Sequence, residues 1–144
     1  STVAKHIALI EAGYQEPYVY VGNLSSTRTF QDARDAVRAY YLLLEASAEG
    51  RIAPGEHFNI AGDEAYNLEE VVNLLISFST KKGITVKTDV KRLRPIDADY
   101  QMFDNAKIKS VIDWKPEIPT RQMFLDLLVH WREQIRGGRV PLNR

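Results

Sequence analysis

The sequence contains no cysteine, which excludes disulfides and thiolate metal sites outright. Only three histidines occur, His6, His57 and His130, and their wide separation gives no zinc-ligand spacing, so no metal site is expected. A surplus of either charge is also missing. Nineteen basic and nineteen acidic side chains cancel, which removes any electrostatic case for nucleic acid or a membrane surface as partner. No apolar run approaches the roughly 18–20 residues of a membrane span, and no signal-like segment opens the chain. The expectation is a soluble, cytoplasmic protein. The dinucleotide fingerprint Gly-x-Gly-x-x-Gly is absent, as are a Walker loop and a nucleophile elbow. None of the seven tyrosines is followed by a lysine four positions on, so a Tyr-x-x-x-Lys acid–base pair is missing as well. The sequence therefore offers no catalytic residue of its own.

What remains is ordinary globular material. The 144 residues, 44% hydrophobic and 26% charged, suit about one domain. Val3, Ile7 and Ile10 share a helical face over residues 1–12, with Gly13 as the stop. Tyr18-Val19-Tyr20-Val21-Gly22 reads as a short strand ending in a turn. A helix is expected from Asp32 to Ser47, and its interior from Ala39 to Leu44 is apolar on every side, as for a helix buried on most of its surface. The pair Tyr40-Tyr41 then belongs to the core. Residues 57–60 read as a strand after the Pro54-Gly55 loop. Asn67 and Glu70 form a capping box ahead of Leu68, Val71, Val72, Leu75 and Phe78 at helical spacing. Residues 83–88 alternate like a strand, with Ile84 and Val86 facing one way, and a short helix is expected at 105–112. The last helix runs from Thr120 through Phe124, Leu127, Leu128, Trp131 and Ile135 to Gly137-Gly138, with a frayed tail beyond. The fold class is α/β, in an α+β-like arrangement of several helices with short strands. So few strands cannot build a full doubly wound sheet, which leaves part of the fold dependent on a neighbour.

Two arginine motifs carry the functional reading. Arg28 follows Ser25-Ser26-Thr27 at a loop-to-strand boundary, where a guanidinium fork suits a phosphate; the alternative is a surface arginine. Arg92 and Arg94, two apart, share one side of an extended segment, and Pro95 favours that geometry at Arg94. Asp97, just beyond, suits a ribose hydroxyl. Together Arg28 and Arg94 could straddle a pyrophosphate. Asp99, Asp104 and Asp113 read as solvated or capping carboxylates, with Asp104 or Asn105 capping the helix that follows. Trp114 and Trp131 read as core, and the histidines as structural.

The segments Ile10 to Pro17, Val21-Gly22-Asn23-Leu24, Arg28-Thr29-Phe30-Gln31-Asp32, Phe58-Asn59-Ile60-Ala61-Gly62, Arg92 to Asp97, and Asp104 to Lys107 with Asp113-Trp114-Lys115-Pro116 resemble extended short-chain dehydrogenases acting on GDP-hexoses. This is the group of GDP-4-keto-6-deoxymannose reductase and GDP-mannose 4,6-dehydratase. The resemblance covers the carboxy-terminal half of such proteins. It implies a substrate-binding region over residues 1–138, a tail at 139–144, and an amino-terminal NAD(P)-binding Rossmann domain absent from this chain.

By resemblance, Arg28 and Arg94 contact the diphosphate of the nucleotide sugar, Asp97 meets the ribose, and Val21 and Asn23 line the nucleotide pocket. Asn59 and Trp114 are structural. NADP belongs to the full-length enzyme and is not expected to bind this chain alone. The implied partners are a GDP-sugar, the missing Rossmann half or a partner chain carrying it, and a second copy in a homodimer. The short connection from Ile84-Thr85-Val86 to Arg92, and Phe30 in place of tryptophan, lean toward the reductase branch. Thr29, where aspartate is usual, and Tyr100-Gln101 after Asp97 depart from the pattern. The alternatives are a non-catalytic nucleotide-sugar-binding module and a fragment of a UDP- or dTDP-sugar epimerase or dehydratase.

Overall fold

In the computed structural model, residues 1–93 and 98–140 are described, and they divide into two units. The first comprises Ser1–Ser26, Asn67–Asp99 and Arg121–Arg144; the second comprises Thr27–Tyr66 and Tyr100–Thr120.

Unit one is built on two parallel strands. Helix α1 (Thr2–Glu11) buries Ala4, Ile7, Ala8 and Ile10. It stops at Gly13, whose φ of +78° is the left-handed conformation that only glycine adopts without strain. Strand β1 (Tyr18–Val21) sends Val19 and Val21 into the core and Tyr20 outward. After strand β2 (Thr27–Thr29), helix α2 (Ala33–Ala48) and strand β3 (Ala65–Asn67), the chain enters helix α3 (Leu68–Ser77). The capping box that opens α3 is present as expected: Asn67 Oδ1 accepts from Glu69 N–H at 2.9 Å and Glu70 Oε2 from Asn67 N–H at 3.2 Å. Strand β4 (Thr85–Thr88) lies parallel to β1 with Val19 opposite Val86. Helix α5 (Thr120–Arg136) buries Phe124, Leu128 and Ile135 from its stripe, while Leu127 and Trp131 are half-buried. Val140, in the segment read as a tail, is buried as well.

Unit two carries a three-stranded sheet in the order β3-β2-β5, with β5 (Tyr100–Gln101) parallel to β2. Helix α2 is capped by Asp32, whose carboxylate accepts from Arg34 N–H at 2.8 Å. One side of α2 (Ala39, Ala46, Leu42, Leu43) packs with Ile108 of helix α4 (Ala106–Val111), Ile112 and Trp114. Trp114 Nε1 donates to the Asp35 carbonyl at 3.0 Å. Buried Asp35 in turn accepts the amides of Glu117 and Ile118 at 3.1 and 3.0 Å, which fixes the turn after the tryptophan. Asp104, one of the two capping candidates, is the residue whose carboxylate accepts from Ala106 N–H, at 2.7 Å.

Three local expectations are corrected. Helix α2 is not buried all round: Tyr40, Tyr41 and Leu44 are 62%, 60% and 70% exposed, so the tyrosine pair is not core. The apolar run spans both faces of a helix that, among the described residues, packs its core contacts on one of them. Residues 57–60 are not a strand, although Phe58 and Ile60 do pack inward, because no strand of the described chain runs beside them. Arg92 lies in a 3-10 turn (Val90–Arg92) that Asp89 caps, not in extended chain.

Candidate functional site

The carboxyl ends of β1 and β4 lie side by side, the end of a parallel pair at which α/β proteins hold ligands. From there each strand leads into one of the segments expected to bind nucleotide. Val21 is buried, and its carbonyl accepts from Asp89 N–H at 2.8 Å, which ties the exit of β1 to the turn after β4. Gly22 comes next. A Cβ built on it would stand 2.5 Å from the Arg92 carbonyl oxygen, so only the absence of a side chain lets these backbones pass. Asn23 is exposed, and its Oδ1 accepts from both the amide and the hydroxyl of Ser25 at 2.9 Å, holding the loop in an Asx turn.

The structure thus brings Val21 and Gly22 against the Asp89–Arg92 turn, with Asn23 next along the chain. Arg94 and Asp97 lie outside the described residues; the description stops at Leu93 and resumes at Ala98. Arg28 is in unit two, at the middle of β2, half-buried, with its Nη1 3.4 Å from the Thr27 carbonyl. Its register partner is Gln101, four positions after Asp97. Asn59 Nδ2 donates to the Asp104 carbonyl at 3.2 Å and Trp114 is 2% exposed.

The part of Gly22 is what reading residues alone did not single out; its signal was a glycine directly after an apolar strand. His6, read from the sequence as structural, has a perturbed ring. Burial, then the positive charges of Arg92 and Lys5, lower its pKa, so the ring is neutral at neutral pH. Its Nδ1 is buried with no hydrogen-bond partner among the described residues.

A cleft in unit one is lined by Ala8, Glu11, Ala12, Tyr14, Ile135 and the arginines 132 and 136, none of them a candidate. Among the described residues no group of three or more histidine, aspartate or glutamate side chains could hold a metal ion. None of the described helices is long and apolar enough to cross a membrane.

A family model for GDP-mannose 4,6 dehydratase matches residues 1–127. The chain belongs to that family.

The GDP-6-deoxy-D-mannose reductase of Pseudomonas aeruginosa is 24% identical over 136 residues, covering 94% of this chain and 43% of that protein. The GDP-mannose 4,6 dehydratase of Dictyostelium discoideum is 25% identical, covering 94% of this chain and 41% of that protein. The structure of RMD from Pseudomonas aeruginosa complexed with NADPH superimposes with a TM-score of 0.80 at 23% identity, covering 92% of this chain and 41% of the other. The chain therefore spans about two-fifths of the relatives it matches, and its mixed helices and short strands have the fold of that part of a Rossmann-type short-chain dehydrogenase/reductase.

Proposed function

We propose that this chain is the nucleotide-sugar-binding part of a GDP-hexose-modifying enzyme of the reductase or dehydratase type. One observation supports this reading above the rest. Within unit one the turn that leads to Arg94 lies against Gly22, the residue between Val21 and Asn23, and within unit two Arg28 pairs with Gln101, four positions after Asp97. In this reading Arg28 and Arg94 grip the diphosphate through charged hydrogen bonds, and Asp97 accepts from a ribose hydroxyl. Val21 and Asn23 shape the nucleoside pocket.

NADPH accompanies the Pseudomonas structure, and two described helix starts of this chain speak against a dinucleotide pyrophosphate at either of them. At the starts of α2 and α3 a first-turn amide is already occupied, by the side chains of Asp32 and Asn67. Carboxylates at both ends (Asp32, Asp35, Glu69 and Glu70) would repel a pyrophosphate. Hydride exchange with the sugar, and the acid–base group that goes with it, belong in this proposal to a cofactor-binding half outside the 144 residues. This chain's part is to bind and orient the GDP-sugar.

Calorimetric titration with GDP and GDP-mannose tests the proposal. Saturable binding is expected, weakened by about 1.5–3 kcal/mol in Arg28→Ala and in Arg94→Ala, as for other charged hydrogen bonds. Equal affinity for UDP would favour the epimerase-type alternative, and no binding to any nucleotide would rule out both. The chain alone is expected to show no NADP-dependent conversion of a GDP-hexose.

A further inference from the structure

The cleft of unit one shares no residue with the proposed nucleotide site, and its hydrogen-bonding groups are unevenly spent. It encloses about 410 Å³, within the roughly 300–1,000 Å³ usual for small-molecule sites. Both oxygens of Glu11 are taken: Oε2 accepts from Arg132 Nε, and Oε1 from Arg132 Nη2, the Ser79 hydroxyl and the Thr80 amide. That carboxylate has nothing left to offer a ligand. Arg132 still has donors to give. Its Nε and Nη2 serve Glu11 and the Phe78 carbonyl, while Nη1 keeps two N–H groups that no described residue accepts. Arg136 lies one turn further along α5, on the same face. It is exposed, and its guanidinium makes no hydrogen bond or ion pair among the described residues.

Charge and shape narrow what such a cleft takes. Glu11 cancels Arg132, so the lining carries one net positive charge, that of Arg136. Helices α1 and α5 both end here, at Glu11 and Arg136, and the partial negative charge of their last carbonyls disfavours a dianion. A single carboxylate meets both conditions: it balances one charge, and its two oxygens can be shared by guanidinium groups one helical turn apart. The remaining lining is largely apolar. Ala8 and Ile135 are buried, Ala12 follows Ala8 by one turn without adding bulk, and the Tyr14 ring is largely exposed. We propose that this cleft binds a small organic carboxylate, its charge held by Arg132 Nη1 and Arg136 and its apolar body set against Ala8, Ala12, Ile135 and the Tyr14 ring. The site is read from unit one alone and is independent of the nucleotide reading.

The test is a titration of the 144-residue chain with sodium benzoate at constant ionic strength, followed through the amide chemical shifts. Benzoate should move the amides of residues 8–14 and 132–136 saturably, with a Kd on the order of 1 mM, as expected for so small a ligand. Benzylamine, with the same ring and the opposite charge, and inorganic phosphate, with no apolar body, should each bind at least about tenfold more weakly. Arg136→Gln changes an exposed side chain with no described partner, so the fold should survive while benzoate affinity falls about tenfold. Ala12→Leu fills the cleft from an exposed position and should abolish saturation. Lys115→Gln, the same loss of charge in unit two, should change nothing. Benzoate binding untouched by Arg136→Gln and Ala12→Leu overturns the inference, and so does the absence of any saturable shift at these residues. Phosphate binding as tightly as benzoate also overturns it, because the arginines would then be a bare anion site. Displacement of benzoate by GDP would do the same, since the cleft would then take a nucleotide.

Discussion

The guanidinium of Arg132 closes on the carboxylate of Glu11 through two bonds, Nε to Oε2 at 2.7 Å and Nη2 to Oε1 at 2.8 Å, joining helices at opposite ends of the sequence. Glu11 also accepts from the Ser79 hydroxyl and the Thr80 amide, and Arg132 donates to the Phe78 carbonyl. Three helices of unit one, α1, α3 and α5, meet at this pair. Burial by itself would raise the pKa of Glu11, but the bonds from Arg132, Thr80 and Ser79 and the charge of Arg132 outweigh it and bring it down to about 2.

A folded-state value below the ordinary 4.5 means that stability is fully present above about pH 5 and is lost as pH falls toward 2. The loss is up to about 3 kcal/mol from this one group. Urea unfolding between pH 7 and 2.5 should show it. Glu11→Gln should be less stable at pH 7 and should flatten this part of the profile; an unchanged slope would remove Glu11 as its source.

Asp35 is the corresponding anchor of unit two. Asp35→Ala leaves the part-buried amides of Glu117 and Ile118 without their acceptor, at a cost of roughly 1.5–3 kcal/mol for the two bonds to the carboxylate. Trp114→Phe keeps most of the ring's packing and loses only the bond to the Asp35 carbonyl, so about 1 kcal/mol is expected. Thermal unfolding of both variants checks the order. A Trp114→Phe loss equal to that of Asp35→Ala would contradict it.

Gly22→Ala places a methyl group against the Arg92 carbonyl, a backbone atom that can yield only by moving the turn. The expected cost is about 1–3 kcal/mol. Because that turn leads directly to Arg94, GDP affinity should fall as well if the proposed site is right. A variant that loses stability while keeping full affinity would separate the turn from the nucleotide.

Asn67→Ala should destabilise the chain by about 1 kcal/mol through the lost cap of α3. The side chain also donates from Nδ2 to the Ser25 carbonyl at 3.0 Å, so Asn67→Ser, which can still cap, should recover only part of the loss. Denaturation midpoints of the three proteins give the comparison.

Local chemistry made much of this legible in advance. The capping box at Asn67 and Glu70, the start of α2 at Asp32 and the stripe of α5 depend on residues within a few positions of one another, and each is where its spacing put it. The family was legible too, since its motifs are contiguous runs of residues. Tyr40 and Tyr41 were not. An apolar residue on a helix reports a preference for burial, not the presence of something to bury it, and here Tyr40, Tyr41 and Leu44 stand exposed on one face of α2. The same holds at Phe58 to Ile60, whose alternation is that of a strand although among the described residues they belong to none.

By itself, then, the sequence determined the helices, the caps and the family, because these rest on short-range hydrogen bonds and on the order of residues along the chain. Tertiary structure alone decided that Glu11 meets Arg132, that Gly22 must be glycine because the Arg92 carbonyl passes it, and that Tyr40, Tyr41 and Leu44 of α2 stand exposed. Each of these depends on which distant residues arrive at the same place, and a long-range contact leaves no local periodicity to read.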